Sequence, residues 1–249
     1  MTMALFEAHD LHMRFGRRVV LERVDLVVEE GMFAGIIGPN GAGKTTCFNV
    51  LTGRYRPSRG HISFAGEDIT GMPPQKIVRK GIARSFQIMT LFDEYSARDN
   101  VVQALPEMRN MAWRVDHAVA RDRFLDDAAD EVLESVGLLA RAHLPAKDLP
   151  YGERRALEIA VALAGRPRIL FLDEPTSGLG ANGRVRLREL LERLKGKLTI
   201  VAIEHDLALL FALADRVSVI QWGQVIAEGT PDELKADPWV RNSNLGKLQ

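Results

Sequence analysis

The sequence predicts an α/β fold: a mostly parallel core sheet, antiparallel strands on its N-terminal side, and a helical insertion in the middle. Three observations predict it. Short apolar runs alternate with segments of helical period along most of the chain, the pattern of a parallel sheet. One run, Phe33-Ala34-Gly35-Ile36-Ile37, leads into Gly38-Pro39-Asn40-Gly41-Ala42-Gly43-Lys44-Thr45-Thr46 and then into a helix-compatible stretch, Cys47 to Leu51. Another, Ile169-Leu170-Phe171-Leu172, is apolar throughout, as a strand covered on both faces must be, and ends in Asp173-Glu174-Pro175.

In chain order, residues 4–14 and 19–28 read as two strands joined near Gly16-Arg17-Arg18. Val24, Leu26 and Val28 alternate with Asp25 and Val27, the signature of a half-buried strand. Gly60 to Glu67 reads as a short hairpin strand, and Pro73-Pro74 opens a helix from Gln75 to Lys80. Ile82 to Gln87 reads as another strand. From about 92 to 142 the chain is charge-rich and helical in period, with Val132, Leu133, Val136, Leu138 and Leu139 forming an apolar stripe. Met108, Met111 and Trp113 in the same region read as packing or partner surface. A helix then runs from Leu149-Pro150-Tyr151-Gly152-Glu153 to Ala164 and stops at Gly165-Arg166-Pro167. A helix at 182–195, a strand at 198–203, a helix at 207–214 and strands at 216–221 and 224–228 complete the alternation. In such sheets ligands sit off the carboxyl ends of the strands.

The Gly-x4-Gly-Lys-Thr spacing of residues 38–45 is that of a phosphate-binding loop. Glycines let successive N–H groups point into one concavity, and the helix opening at Gly43-Lys44 adds its positive end. Lys44 supplies a full charge to the outer phosphates, and the Thr45 hydroxyl can ligate Mg²⁺. One such charge pair near a protein surface is worth roughly 4 kcal/mol before desolvation. Phe15, at the end of the first strand, is either a stacking platform for an adenine ring or an ordinary core or loop residue.

Composition narrows the functional classes. The 249 residues carry 33 Lys plus Arg against 33 Asp plus Glu, and the zero net charge argues against a strongly electrostatic nucleic-acid binder. The single cysteine, Cys47, excludes an internal disulfide and fits a reducing cytosol. It reads as a small packed side chain, since no base is recognisable beside it. The N-terminus lacks the apolar run of a signal peptide, and no stretch approaches the ~18 apolar residues that span a bilayer. A membrane role is therefore expected to go through a partner.

An apolar strand ending in two acids downstream of a phosphate loop is a Walker B pattern. Asp173 is placed to hold Mg²⁺, directly or through water. Glu174, one residue on, points elsewhere and can act as general base on the attacking water. His205 closes the strand Thr199 to Ile203 after Glu204, at the sheet edge where a γ-phosphate would lie, and can donate to it. The other histidines, His9, His12, His61, His117 and His143, read as packing or surface.

With these residues in place, over nearly all of residues 4–233 the chain closely resembles the ATP-binding-cassette (ABC) ATPases. The resemblance implies a P-loop at 38–46, a Q-loop at Gln87 contacting nucleotide and Mg²⁺, and a signature at Leu149 to Glu153. It also implies a Walker B end at Asp173-Glu174, a D-loop at Ser177-Gly178-Leu179-Gly180 and a switch histidine at His205. The implied layout is a single cassette over 1–249, with a core and β subdomain at about 1–91 and 160–249 and a helical subdomain at about 92–159. It further implies a head-to-tail dimer with itself or a paralogue, in which Tyr151, Gly152 and Glu153 of one copy complete the ATP site of the other. Integral-membrane permease subunits would dock beside the helical subdomain, with a periplasmic or extracellular solute-binding protein as indirect partner and no nucleic acid. The location implied is cytoplasmic, peripheral to the membrane.

Two departures are informative. Pro150-Tyr151 stands where Ser-Gly is usual, and Gly180 where the D-loop often has Asp. The sequence Leu149-Pro150-Tyr151-Gly152-Glu153-Arg154-Arg155-Ala156-Leu157-Glu158-Ile159-Ala160 is similar to ATPases of branched-chain amino-acid importers. Arg84-Ser85-Phe86-Gln87 resembles the first of the two ATPase types that such importers carry. The tail from Val240 to Gly246 matches that type loosely. Related urea or amide importers share these features. Two other classes stand beside this expectation: a soluble ABC ATPase driving assembly or nucleic-acid work, and a catalytically silent nucleotide-binding scaffold. The intact Lys44, Asp173, Glu174 and His205 argue against the second.

Overall fold

The computed structural model describes residues 4–85, 91–111 and 123–237. The alternating apolar pattern of the first thirty residues becomes two long antiparallel strands, β1 (Ala4–Phe15) and β2 (Arg18–Glu29), turning at Gly16-Arg17. Val24, Leu26 and Val28 are buried and Val27 is exposed, as a one-sided strand requires. Next come β3 (Phe33–Ile37), α1 (Lys44–Leu51), β4 (Arg59–Phe64) and β5 (Glu67–Asp68). The antiparallel sheet has the order β2-β1-β4-β5.

The core sheet adds β6 (Ile82–Arg84), β7 (Ile169–Asp173), β8 (Thr199–Ile203), β9 (Arg216–Gln221) and β10 (Gln224–Gly229) to β3. Its order is β10-β9-β3-β8-β7-β6, parallel except for the β9–β10 hairpin. Every residue of β3, β7 and β8 is buried. Their side chains alternate between two cores: Phe171, Val201 and Ile36 face one, Leu170, Leu172 and Ile200 the other. The first core lies under the antiparallel sheet and α1. There Phe171 meets Phe6 and Phe48 edge-on, each at 5.3 Å between ring centroids, contacts worth about 0.5–1.5 kcal/mol apiece beyond area burial.

The second core is covered by helices. These include α3 (Ala97–Val102), α5 (Arg123–Ser135), α6 (Tyr151–Ala164), α7 (Ala181–Leu194) and α8 (Leu207–Leu213). α2 (Pro74–Arg79) sends Ile77 into the first core, and α4 (Pro106–Met111) lies at the margin of the second. Of the expected stripe, Leu133, Val136 and Leu138 are buried. Leu139 is exposed, because a 3₁₀ turn over Leu139–Arg141 follows Gly137 and rotates it out of the helical phase. Met108 packs against this core. The side chain of Met111, Trp113, Gln87 and the tail from Val240 lie outside the described residues.

One helix went unread in the sequence. α9 (Pro231–Ala236) opens with Thr230 as N-cap, Pro231 in the first turn and Glu233 closing a capping box. The signal Thr-Pro-x-Glu was present, but six residues are too few to show a period. Among the described residues no helix is long and apolar enough to cross a membrane.

The parallel register sets up the site. Ile203 pairs with both Ile36 and Asp173, so the carboxyl ends of β3, β7 and β8 finish level. Three loops then leave one sheet edge together, carrying residues 38–43, 174–180 and 204–206.

Candidate functional site

The loop after β3 wraps back on itself before α1. Gly38 has φ 155°, and a Cβ there would sit 2.0 Å from the Ile220 carbonyl of β9, so no other residue fits without shifting the sheet. Gly43 precedes α1 in the left-handed region, and no side chain caps the helix. With no acid in the first turn, that end of α1 keeps its positive character. A cavity of about 490 Å³ opens above it, lined by Asn40 to Thr46 together with Phe15, Arg18, Val20 and Glu174.

Lys44 is 6% exposed and folds over the loop, donating to the carbonyls of Gly38 at 2.7 Å and Pro39 at 3.0 Å. Burial pulls its ammonium below the usual lysine range, partly offset by the charges of Glu174 and Asp173. Phe15 is 45% exposed, braced edge-on by Tyr55 at 5.3 Å, with one side on the cavity. Phe15 is therefore a residue of the cavity wall and not of the core.

At the end of β7, Asp173 is buried and Glu174 takes φ 47°, the left-handed region, at a non-glycine position. The turn separates the two carboxylates. Asp173 Oδ2 accepts from Arg84 Nη2 at 2.8 Å, while Glu174 Oε1 lies 2.9 Å from His205 Nε2. The expected general base and switch histidine thus form a direct pair, reaching from β7 and β8 respectively.

Buried charges that sequence reasoning passed over hold this edge together. Arg84, at the end of β6, also donates to Asn49 Oδ1 at 2.7 Å and Thr52 Oγ1 at 3.0 Å and stacks over Phe48. Glu204 is 1% exposed. Its carboxylate accepts from Thr176 N at 2.8 Å, Thr176 Oγ1 at 2.7 Å and the His205 amide at 3.0 Å. Burial raises the Glu204 carboxyl above its ordinary value, partly countered by these hydrogen bonds. Arg155 and Glu158, one helical turn apart on α6, are buried as a pair with Nη1 to Oε2 at 2.7 Å. A polar i,i+3 pair inside the apolar run of that helix was the available signal.

The remaining predicted residues sit elsewhere. Tyr151, Gly152 and Glu153 open α6, with Pro150 as N-cap, and line a second cavity of about 430 Å³ with Gly178, Leu179 and Gly180. Their own P-loop cavity does not include them. The Tyr151 hydroxyl donates to the Ser177 carbonyl at 3.1 Å, tying the start of α6 to the turn after Glu174. A single copy therefore presents two separate cavities, one at the loop after β3 and one at the start of α6.

The ABC transporter family profile matches residues 21–177. The chain is 39% identical to the high-affinity branched-chain amino acid transport ATP-binding protein BraF of Pseudomonas aeruginosa, covering 99% of this chain and 100% of that one. It is 36% identical to LivG of Escherichia coli, a protein of the same description, with the same coverage. Identity to the lipopolysaccharide export ATP-binding protein LptB of Acidithiobacillus ferridurans is 33%, covering 97% of each. Among solved structures, the ADP conformation of an ABC-transporter ATP-binding cassette superposes with a TM-score of 0.84 at 28% identity, over 96% of this chain and 97% of that one.

Proposed function

This chain belongs to the ABC transporter family, as a nucleotide-binding ATPase, and we propose that it powers import of branched-chain or other hydrophobic amino acids. The cargo reading is supported by near-full-length identity of 36–39% to BraF and LivG, above that to the LptB exporter subunits. The tyrosine-bearing signature at Leu149 to Glu153 points the same way. Cargo would be selected by other subunits, so no residue here is assigned to it.

In this reading the adenine stacks on Phe15, and the triphosphate lies along Gly38 to Thr46. Lys44 leaves the Gly38 and Pro39 carbonyls for the β- and γ-phosphates. Glu174 takes a proton from the attacking water, and His205, released from Glu174, donates to the γ-phosphate. Electrostatic stabilisation of the transferring phosphoryl group then comes from Lys44 and the amide end of α1.

Mg²⁺ fits the donor set in one mode. Among the described residues no group of three or more His, Cys, Asp or Glu could cage an ion. Thr45 lines the cavity, and Asp173 is the chain neighbour of the cavity-lining Glu174; two such oxygen donors suit an ion held mainly by phosphates and water. Thr45 and Asp173 would hold it, with Gln87 as a further ligand, and it would neutralise charge developing on the phosphoryl oxygens.

The observation that carries the proposal is the division of labour in one chain. The P-loop cavity holds Glu174, while Tyr151-Gly152 lines a separate cavity and is free to meet a second copy or a paralogue. Permease subunits would anchor such a dimer at the cytoplasmic face of a membrane. Uptake by vesicles carrying the chain with its permease subunits tests the reading, with wild type compared to Glu174→Gln. Branched-chain amino-acid uptake should require ATP and vanish in the variant. Uptake that survives in Glu174→Gln overturns the base assignment, and uptake of urea or an amide in place of amino acids overturns the cargo.

A further inference from the structure

The turn that carries Glu174 is gripped from the signature helix. Arg155, in the second turn of α6, is 2% exposed, and its guanidinium reaches across to three consecutive carbonyls. Nη2 donates to Asp173 O at 3.0 Å and Glu174 O at 3.1 Å, and Nε points to Pro175 O at 3.4 Å. Nη1 is taken by Glu158 at 2.7 Å. On the other side of the same turn, Glu204 accepts from the amide and hydroxyl of Thr176. A cation therefore holds the carbonyl side of residues 173–175, and a carboxylate holds the N–H side of residue 176.

Such an arrangement is costly unless geometry is the gain. A buried ion pair contributes little net stability compared with apolar residues of the same size. Glu174 meanwhile adopts φ 47°, the left-handed region that crowds the Cβ of an ordinary L-residue against its own backbone. Strain of this kind persists only where surrounding groups over-determine it. The planar fork of arginine suits several carbonyls converging on one face, which a lysine cannot match.

We propose that Arg155 is a positioning residue for hydrolysis: it fixes the backbone of Asp173-Glu174-Pro175 so that the Glu174 carboxylate faces the attacking water, and it makes that geometry depend on the seating of α6. The inference rests on the reading of Glu174 as general base. α6 begins at Tyr151-Gly152, the half-site offered to another copy's nucleotide. Movement of that helix end is thus transmitted through Arg155 to the chain's own base.

The test compares wild type, Arg155→Met, Arg155→Lys, Glu174→Gln and the double variant Arg155→Met/Glu174→Gln. Steady-state and single-turnover Mg-ATP hydrolysis are measured beside the affinity for a fluorescent ADP analogue. Misplacement of a catalytic group by about 1 Å costs roughly 10²-fold, so Arg155→Met should lower kcat by that order while KM and ADP affinity change by less than about twofold. Arg155→Lys keeps the buried charge opposite Glu158 and reaches fewer carbonyls, and should lose on the order of tenfold in kcat. If Arg155 acts through Glu174, the double variant should be no slower than Glu174→Gln alone.

Multiplicative losses in the double variant, or a kcat loss matched by weaker ADP binding, would overturn the proposal. So would full kcat in Arg155→Lys, which decides the matter if Arg155→Met does not fold. Retained hydrolysis in Glu174→Gln would instead sink the base assignment, a result distinct from an active Arg155→Met beside an inactive Glu174→Gln.

Discussion

Removing the guanidinium of Arg84 isolates the charge of Asp173. The pair is closed at 2.8 Å, with side chains 9% and 2% exposed, so water cannot replace the lost partner without opening the sheet edge. Breaking a buried ion pair from one side costs about 3–5 kcal/mol, since the remaining charge stays desolvated. Arg84→Met also drops the donors to Asn49 and Thr52, which places it at the upper end of that range. For a chain of this size each kcal/mol moves Tm by about 2–4 °C, so at about 5 kcal/mol Arg84→Met should melt roughly 10–20 °C below wild type. Asp173→Asn leaves a neutral amide, and the double variant should lose less than the sum of the singles by about 2–3 kcal/mol. Urea unfolding followed by far-UV circular dichroism on the four proteins, without nucleotide, measures that coupling. Additivity within about 0.5 kcal/mol would show that the two groups do not depend on each other and would refute the reasoning.

Two further outcomes are expected. Full burial pushes the Cys47 thiol from 9.0 up to about 12. The folded chain then keeps a proton that the unfolded chain releases above pH 9, so this contribution is complete below that pH and is lost as pH rises toward 12. Above pH 9, wild type should lose about 1.4 kcal/mol per pH unit relative to Cys47→Ala in urea unfolding; parallel pH profiles would contradict it. Gly178 has φ 75°, and a Cβ there would lie 2.8–2.9 Å from the Tyr151 ring and hydroxyl. Gly178→Ala should destabilise by roughly 1–3 kcal/mol, and part of that loss should disappear when Tyr151→Ala is added; equal losses in both backgrounds would show that the ring does not press on this turn.

What could be read from the chain alone was local in sequence. Strand and helix periods placed β3, β7 and β8 within a residue of their observed limits, because a fully covered strand must be apolar throughout and a phosphate loop needs its glycines and lysine at fixed spacing. Lys44, Glu174 and His205 were legible for the same reason: each closes or follows a strand in a parallel sheet, whose carboxyl edge is one place. The pairings that hold that edge were not legible. Arg84 meets Asp173 across 89 positions, Glu204 meets Thr176 across 28, and Arg155 meets the Asp173 carbonyl across 18. Arg84 and Glu204, at strand ends, carry no mark of burial in the sequence; the i,i+3 spacing of Arg155 and Glu158 marks a pair, but which backbone carbonyls the arginine satisfies depends on how a helix seats against a sheet. The sequence settled where the phosphate loop, acids and histidine lie along the chain; tertiary packing alone decided that Asp173 is held by an arginine, that Glu174 turns into the left-handed region toward His205, and that the signature helix reaches the turn that carries them.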